Sequence, residues 1–202
     1  MNKFSKTDLL KEVWELFKKN LNLLLGLIGV YLAYYIAQYL ISYLFPQSAL
    51  ATLLSLVFVV IFLVIQLGAY NMILKIVDGK KATIQDLYTY SNIAMKVLRN
   101  IVAGFIVGIA VAVGLVFFII PGIYIAVRSM FFTYYIVDKD AGIVDSIKMS
   151  WDLTKNGVLN LFLLAILFII INFIGAILIV GLAVTLPLTF LATAILYRKF
   201  QK

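Results

Sequence analysis

Apolar residues run along this chain in blocks too long for a soluble core. Leu21 to Leu44 and Ala49 to Leu74 contain no charged residue. A third block runs from Ile101 to Val137 with a single charge, Arg128, and a fourth from Val158 to Tyr197 with none. A bilayer core needs about 20 apolar residues per helix. The first two blocks each predict one span. The last two are about twice as long, so each predicts a helical hairpin, broken at Pro121-Gly122 and in the Gly181 to Pro187 region. Six spans result: 21–44, 49–74, 101–119, 121–137, 158–179 and 183–197. The fold class is all-α, a polytopic membrane protein forming one integral membrane domain over residues 1–202.

The segments between the span pairs are amphipathic. From Ser5 to Asn20, Leu9, Leu10, Val13, Leu16 and Phe17 share one face, and Ser5 with Asp8 suits a capping box. Asp140 to Asn156 places Ile143, Ile147 and Trp151 inward and Asp145, Lys148, Asp152 and Lys155 outward. Thr83 to Asn100 follows the pattern more weakly. Such helices lie in the headgroup plane, with Trp14 and Trp151 as interfacial anchors. Asp8, Lys11, Trp14, Leu16 and Lys18 align with Asp145, Lys148, Trp151, Leu153 and Lys155. The chain therefore reads as three repeats of interfacial helix plus hairpin, approximately 1–76, 77–137 and 138–202.

Charge sets the orientation. The chain is 64% hydrophobic and 13% charged, with a formal net charge of +8. Of its 17 Lys and Arg residues, all but Arg128 fall before span one, between spans two and three, between spans four and five, or at the end of the chain. The alternate loops carry none. The positive-inside rule then expects both termini in the cytoplasm of a bacterial cell membrane. The first 20 residues do not read as a signal peptide, because the span that follows is too long.

Absent residue types narrow the chemistry. Without cysteine or histidine, the usual ligands of zinc, haem and copper are missing, and so is the usual proton carrier near neutral pH. No metal or other cofactor is expected. No carboxylate lies inside a span and no buried lysine is evident, so an enzyme is not expected either. Nucleic acid is not an expected partner, because the basic charge is spread along a membrane face.

Arg128 is the informative residue. Placed about 10 Å along span four at ~1.5 Å per residue, it lies in hydrocarbon at a cost of ~2.5–3.5 kcal/mol on insertion scales. Asp138 and Asp140 are too far along to be its helical neighbours. Three readings stand: a structural residue that snorkels or ties carbonyls at the hairpin, a receptor for a lipid phosphate or other anion, and part of an ion pathway. The anion or headgroup site would comprise Arg128 with Tyr124, Gln66, Asn71 and Asn172. Tyr31, Tyr35, Tyr39 and Tyr43 form a stripe that suits a cavity wall, helix packing or an aromatic belt.

Pro121-Gly122-Ile123-Tyr124, Arg128, Asp138 and Ser150-Trp151-Asp152-Leu153-Thr154-Lys155-Asn156-Gly157 resemble motifs of the bacterial DUF975 and UPF0259 membrane families. They are also similar to the membrane domain attached to some glycerophosphodiester phosphodiesterases. Gly68, Lys75, Asp78-Gly79 and Asp86-Leu87 extend the likeness, which covers roughly residues 60 to 165. Asn156-Gly157 departs from the usual Gly-Asn order. The resemblance implies a fold and marks Pro121, Gly122, Asp138, Ser150, Thr154 and Lys155 as structural motif residues. It carries over no phosphodiesterase activity, whose catalytic domain is a separate unit. The function expected is a non-enzymatic membrane protein that binds or handles lipids or membrane-active amphiphiles. Envelope protection, or immunity to or export of a bacteriocin, would be variants. The alternatives are a small transporter or channel, and a scaffold subunit for a protein partner. Anionic membrane lipids and an amphiphilic peptide are the other partners expected.

Overall fold

The computed structural model describes residues 6–46, 48–177 and 181–201. All regular structure among them is helical. Helix α1 (Lys6–Lys19) precedes the hairpin of α2 (Leu21–Leu44) and α3 (Ala49–Val77). A 3-10 turn, Ile84–Leu87, leads to α4 (Ile93–Phe117), α5 (Ile119–Arg128) and α6 (Phe132–Lys139). Helix α7 (Ile143–Thr154) precedes the last hairpin, α8 (Val158–Ile177) and α9 (Leu182–Gln201). Counting α5 and α6 as one broken span, six helices among the described residues are long and apolar enough to cross a membrane.

Several boundaries differ from the pattern-based expectation. The third span begins at Ile93 and the second hairpin reverses at Phe118, whose backbone is extended, not at Pro121-Gly122. Pro121 instead occupies the first turn of α5, where a missing N–H is harmless. Gly122 is helical, and its bareness serves packing. A Cβ there would lie 2.6 Å from the Leu115 backbone nitrogen, so α4 and α5 touch only because it is glycine. Pro187 is buried inside α9 and does not end it. Thr83 to Asn100 forms no amphipathic helix. The Thr83 side chain and the Asp86 carboxylate close a single capped turn, and Asn92, at φ 55°, redirects the chain before α4. Ser5, the expected partner of Asp8 in a capping box, lies outside the described residues.

The short elements dock on the long helices. Leu9, Val13 and Phe17 of α1 are buried, and α1 packs on α9, while Leu10 faces outward. The 3-10 turn lies on α3, where Gly68 leaves room for the Leu87 backbone. Helix α7 packs on α6 with a face rotated from the expected one. Its fully buried residues are Ser146, Ser150 and Thr154, spaced four apart, whereas Ile143, Ile147 and Trp151 are half-buried. Small hydroxyl residues let the two backbones approach closely.

At the junction of α3, α6 and α9, aromatic rings fill the space. Tyr134 stacks on Tyr197 at 5.1 Å and meets Tyr70 edge-on at 4.8 Å, and Tyr70 meets Phe190 at 5.7 Å. Around this junction α2 contacts α3, α3 contacts α4, α5 contacts α8, α8 contacts α9, and α9 returns to α2. The tyrosine stripe of α2 is split: Tyr35, Tyr39 and Tyr43 are exposed, whereas Tyr31 is half-buried edge-on against Phe62, and Tyr34, outside the stripe, packs on Phe58 and Phe62.

Candidate functional site

The fourth span breaks between α5 and α6, across Ser129 to Phe131. A break inside an apolar span frees backbone groups that apolar surroundings cannot satisfy. In a continuous helix the Arg128 carbonyl would accept from Phe132 N–H, but that N–H goes to Ser129 C=O. The Phe131 N–H is left over in the same way. One side chain rescues both: the Ser150 hydroxyl donates to Arg128 C=O at 2.8 Å and accepts from Phe131 N–H at 3.1 Å. The Thr154 hydroxyl donates to the Ser150 carbonyl at 2.8 Å and lies 3.3 Å from the Arg128 carbonyl, and Trp151 Nε1–H donates to the Ser129 hydroxyl at 3.0 Å. The two motifs, some 20 residues apart in sequence, are thus one structural unit.

Within this unit the Arg128 side chain is 8% exposed. Its guanidinium carbon lies 5.0 Å from the Trp151 ring centre and 5.6 Å from that of Tyr124. Nε is buried without a hydrogen-bond partner, and no described carboxylate pairs with the charge. Each ring face contributes roughly 1–2 kcal/mol when desolvated. The residue also ends α5, where the helix dipole favours a cation by ~0.3–1 kcal/mol. These gains together about match the ~2.5–3.5 kcal/mol that an arginine costs at the centre of an apolar span on insertion scales. They leave the positive charge itself uncompensated.

Tyr124 also lines an apolar groove of about 340 Å³ between α5 and α8, together with Ile120, Ile123, Val127, Leu159 and Phe162; Arg128 reaches this groove through the Tyr124 ring and does not itself line it. The other expected members of the site sit apart. Gln66 is half-buried on α3. Asn71 reaches the Asp86 carbonyl at 3.5 Å. Asn172 joins α8 to α9 by donating to Thr189 at 3.0 Å. Lys155 is exposed beyond α7, and Trp14 is exposed on α1, stacked on Phe17.

The charged ends of the helices form a second cluster. Arg198 donates to both oxygens of Asp78, each at 2.8 Å, and to both oxygens of Asp138 at 2.6 and 2.8 Å. Tyr197 also donates to Asp138 at 3.0 Å. Arg99 pairs with Asp140 at 2.9 Å and Lys199 with Glu12 at 2.6 Å. Lys75 meets Asp86 at 2.6 Å. Burial tends to raise the Asp86 pKa, but the Lys75 ammonium and the Thr83 N–H outweigh it and hold the carboxyl below its ordinary value.

A family of unassigned function, described as "Domain of unknown function (DUF7847)", matches residues 10–196. The chain belongs to the DUF7847 family. This overturns the resemblance to DUF975 and UPF0259, and nothing links the chain to the phosphodiesterase membrane domain. The motifs behind that likeness are short, and they serve helix packing and backbone satisfaction, needs common to many apolar bundles. No curated protein and no solved structure matches the chain.

Two residues of this DUF7847 chain escaped the pattern-based reading. Arg198 was visible only as one of several terminal cations, yet it ties α9 to α3 and α6. Lys96 is buried, 5% exposed, and donates to Val137 C=O at 2.9 Å. The one available signal was its place among apolar residues, Ile93 to Val97, at the start of a long span.

Proposed function

We propose that this protein is a non-enzymatic membrane protein that binds an anionic lipid, with the headgroup at Arg128 and a chain along the α5–α8 groove. The observation that carries this reading is a buried guanidinium held by two aromatic faces, with no carboxylate partner among the described residues and with Tyr124 shared between it and an apolar groove. A phosphate would supply the missing charge through hydrogen bonds that an aromatic face cannot make. The packed aromatic junction of α3, α6 and α9 favours binding over conduction through the centre.

The termini lie on the membrane side that carries the acids and most of the basic residues. The pairing of Asp78, Asp138 and Arg198, 60 and 120 residues apart in sequence, supports three repeated units. So does the docking of α1 on α9, the 3-10 turn on α3 and α7 on α6.

Native mass spectrometry tests the lipid reading. The wild type should retain an anionic phospholipid that Arg128→Leu loses. Leu159→Trp, which fills the groove from an exposed position, should also reduce retention. Equal retention by all three proteins refutes the site.

A further inference from the structure

A second cavity, of about 580 Å³, opens among the charged helix ends. It is bounded by α3, the loop of residues 88–92, the start of α4 and the end of α6. We propose that it binds a phosphate-class oxyanion, with the Lys96 ammonium as the main charge contact.

The charges around it are matched with one exception. Lys75 meets Asp86, Asp138 is clasped by Arg198, and Asp140 is held by Arg99 and by the Asn92 carboxamide at 3.0 Å. Lys139 shares Asp138 at 3.7 Å. Lys96 has no carboxylate partner among the described residues. Its three donors meet one protein acceptor, Val137 C=O. A buried ammonium so placed favours an anion beside it.

The backbone adds to this. Asn92, the N-cap of α4, gives the helix no side-chain cap, because its carboxamide turns to Asp140. The positive end of a 25-residue helix therefore adjoins the cavity through Ser91 and Lys96. Further donors come from other walls: Thr89 and Ser91 from the loop, and Asn71 and Lys75 from α3. Donors arriving from several directions suit a tetrahedral oxyanion better than a planar carboxylate. The lining is mostly polar, so a soluble phosphoryl compound or a lipid headgroup fits, and an acyl chain does not. The volume lies within the ~300–1,000 Å³ usual for small-molecule sites.

The test uses the full chain in phosphatidylcholine nanodiscs at low ionic strength. Inorganic phosphate is titrated by calorimetry against a matched chloride control, and a second arm places phosphatidic acid in the nanodisc. Saturable binding of inorganic phosphate is expected, weakened at least about tenfold by Lys96→Met. Binding of phosphatidic acid alone, lost in the same variant, would assign the lipid headgroup as the source. Should Lys96→Met fail to fold, Thr89→Val/Ser91→Ala removes two exposed hydroxyls and should weaken binding several-fold with unchanged melting. Arg128→Leu should leave phosphate binding intact, which separates this site from the α5–α8 groove. Absence of saturable binding in both arms, or equal binding by wild type and all cavity variants, overturns the proposal.

Discussion

Arg128 and Arg198 both sit at the end of an apolar helix, and the fold treats them in opposite ways. Arg198 makes four hydrogen bonds to two carboxylates and joins three helices that are distant in sequence. Arg128 has two ring faces and, among the described residues, no carboxylate. The first arginine is a clamp whose charge is fully used within the chain. The second is tolerated because the aromatic faces and helix end offset its burial, and its charge remains available to a ligand. A cation in an apolar stretch is thus not informative by its depth alone; what decides its role is whether the fold brings it an acid.

Substitutions sharpen this contrast, beginning with the clamp. Arg198→Met should leave Asp78 and Asp138 facing each other without a cation. Loss of one partner from a buried ion pair costs ~3–5 kcal/mol. With these side chains about a fifth exposed, destabilisation near the lower end, about 3 kcal/mol, is expected in denaturant unfolding in detergent. Ser150→Ala comes next. It strips the Phe131 N–H of its acceptor and the Arg128 carbonyl of its hydroxyl donor, for an expected loss of ~1–3 kcal/mol in the same assay.

Acid supplies a smaller effect. Because the folded-state pKa of Asp86 is depressed, its contribution is present above its unfolded value, about 3.9. It is lost as pH falls through the lower folded value. Melting curves should therefore show a loss of stability below about pH 4 that Asp86→Asn reduces, with the variant less stable than wild type at neutral pH. The smallest effect belongs to Arg128→Leu. Since the gains and costs of burying this guanidinium nearly cancel, unfolding should shift by less than about 1 kcal/mol. A loss as large as that of Arg198→Met would show Arg128 to be a clamp as well.

Much of the fold was legible because hydrophobic periodicity and length act locally. The limits of α2 and the placement of six apolar spans followed from where charge stops. The face of α1 was legible through Leu9, Val13 and Phe17. The face of α7 was not, because close packing selected Ser146, Ser150 and Thr154, whose small size matters more than their polarity. Gly122 was readable as important but not as a packing contact, since its partner Leu115 lies across a hairpin whose turn the Pro-Gly pair only mimicked. Of the expected site, Arg128 and Tyr124 came together, whereas Gln66, Asn71 and Asn172 were grouped by polarity, which carries no information about neighbours.

The sequence by itself determined the all-helical character, the lengths of the apolar helices and the rarity of charge within them, because these depend on hydration of residues near one another in the chain. Tertiary structure alone decided which arginine meets an acid, which hydroxyl repairs the broken span and which lysine is left without a counter-charge. Those outcomes rest on contacts between residues 20 to 120 positions apart, and short-range chemistry does not encode which of many similar side chains will arrive there.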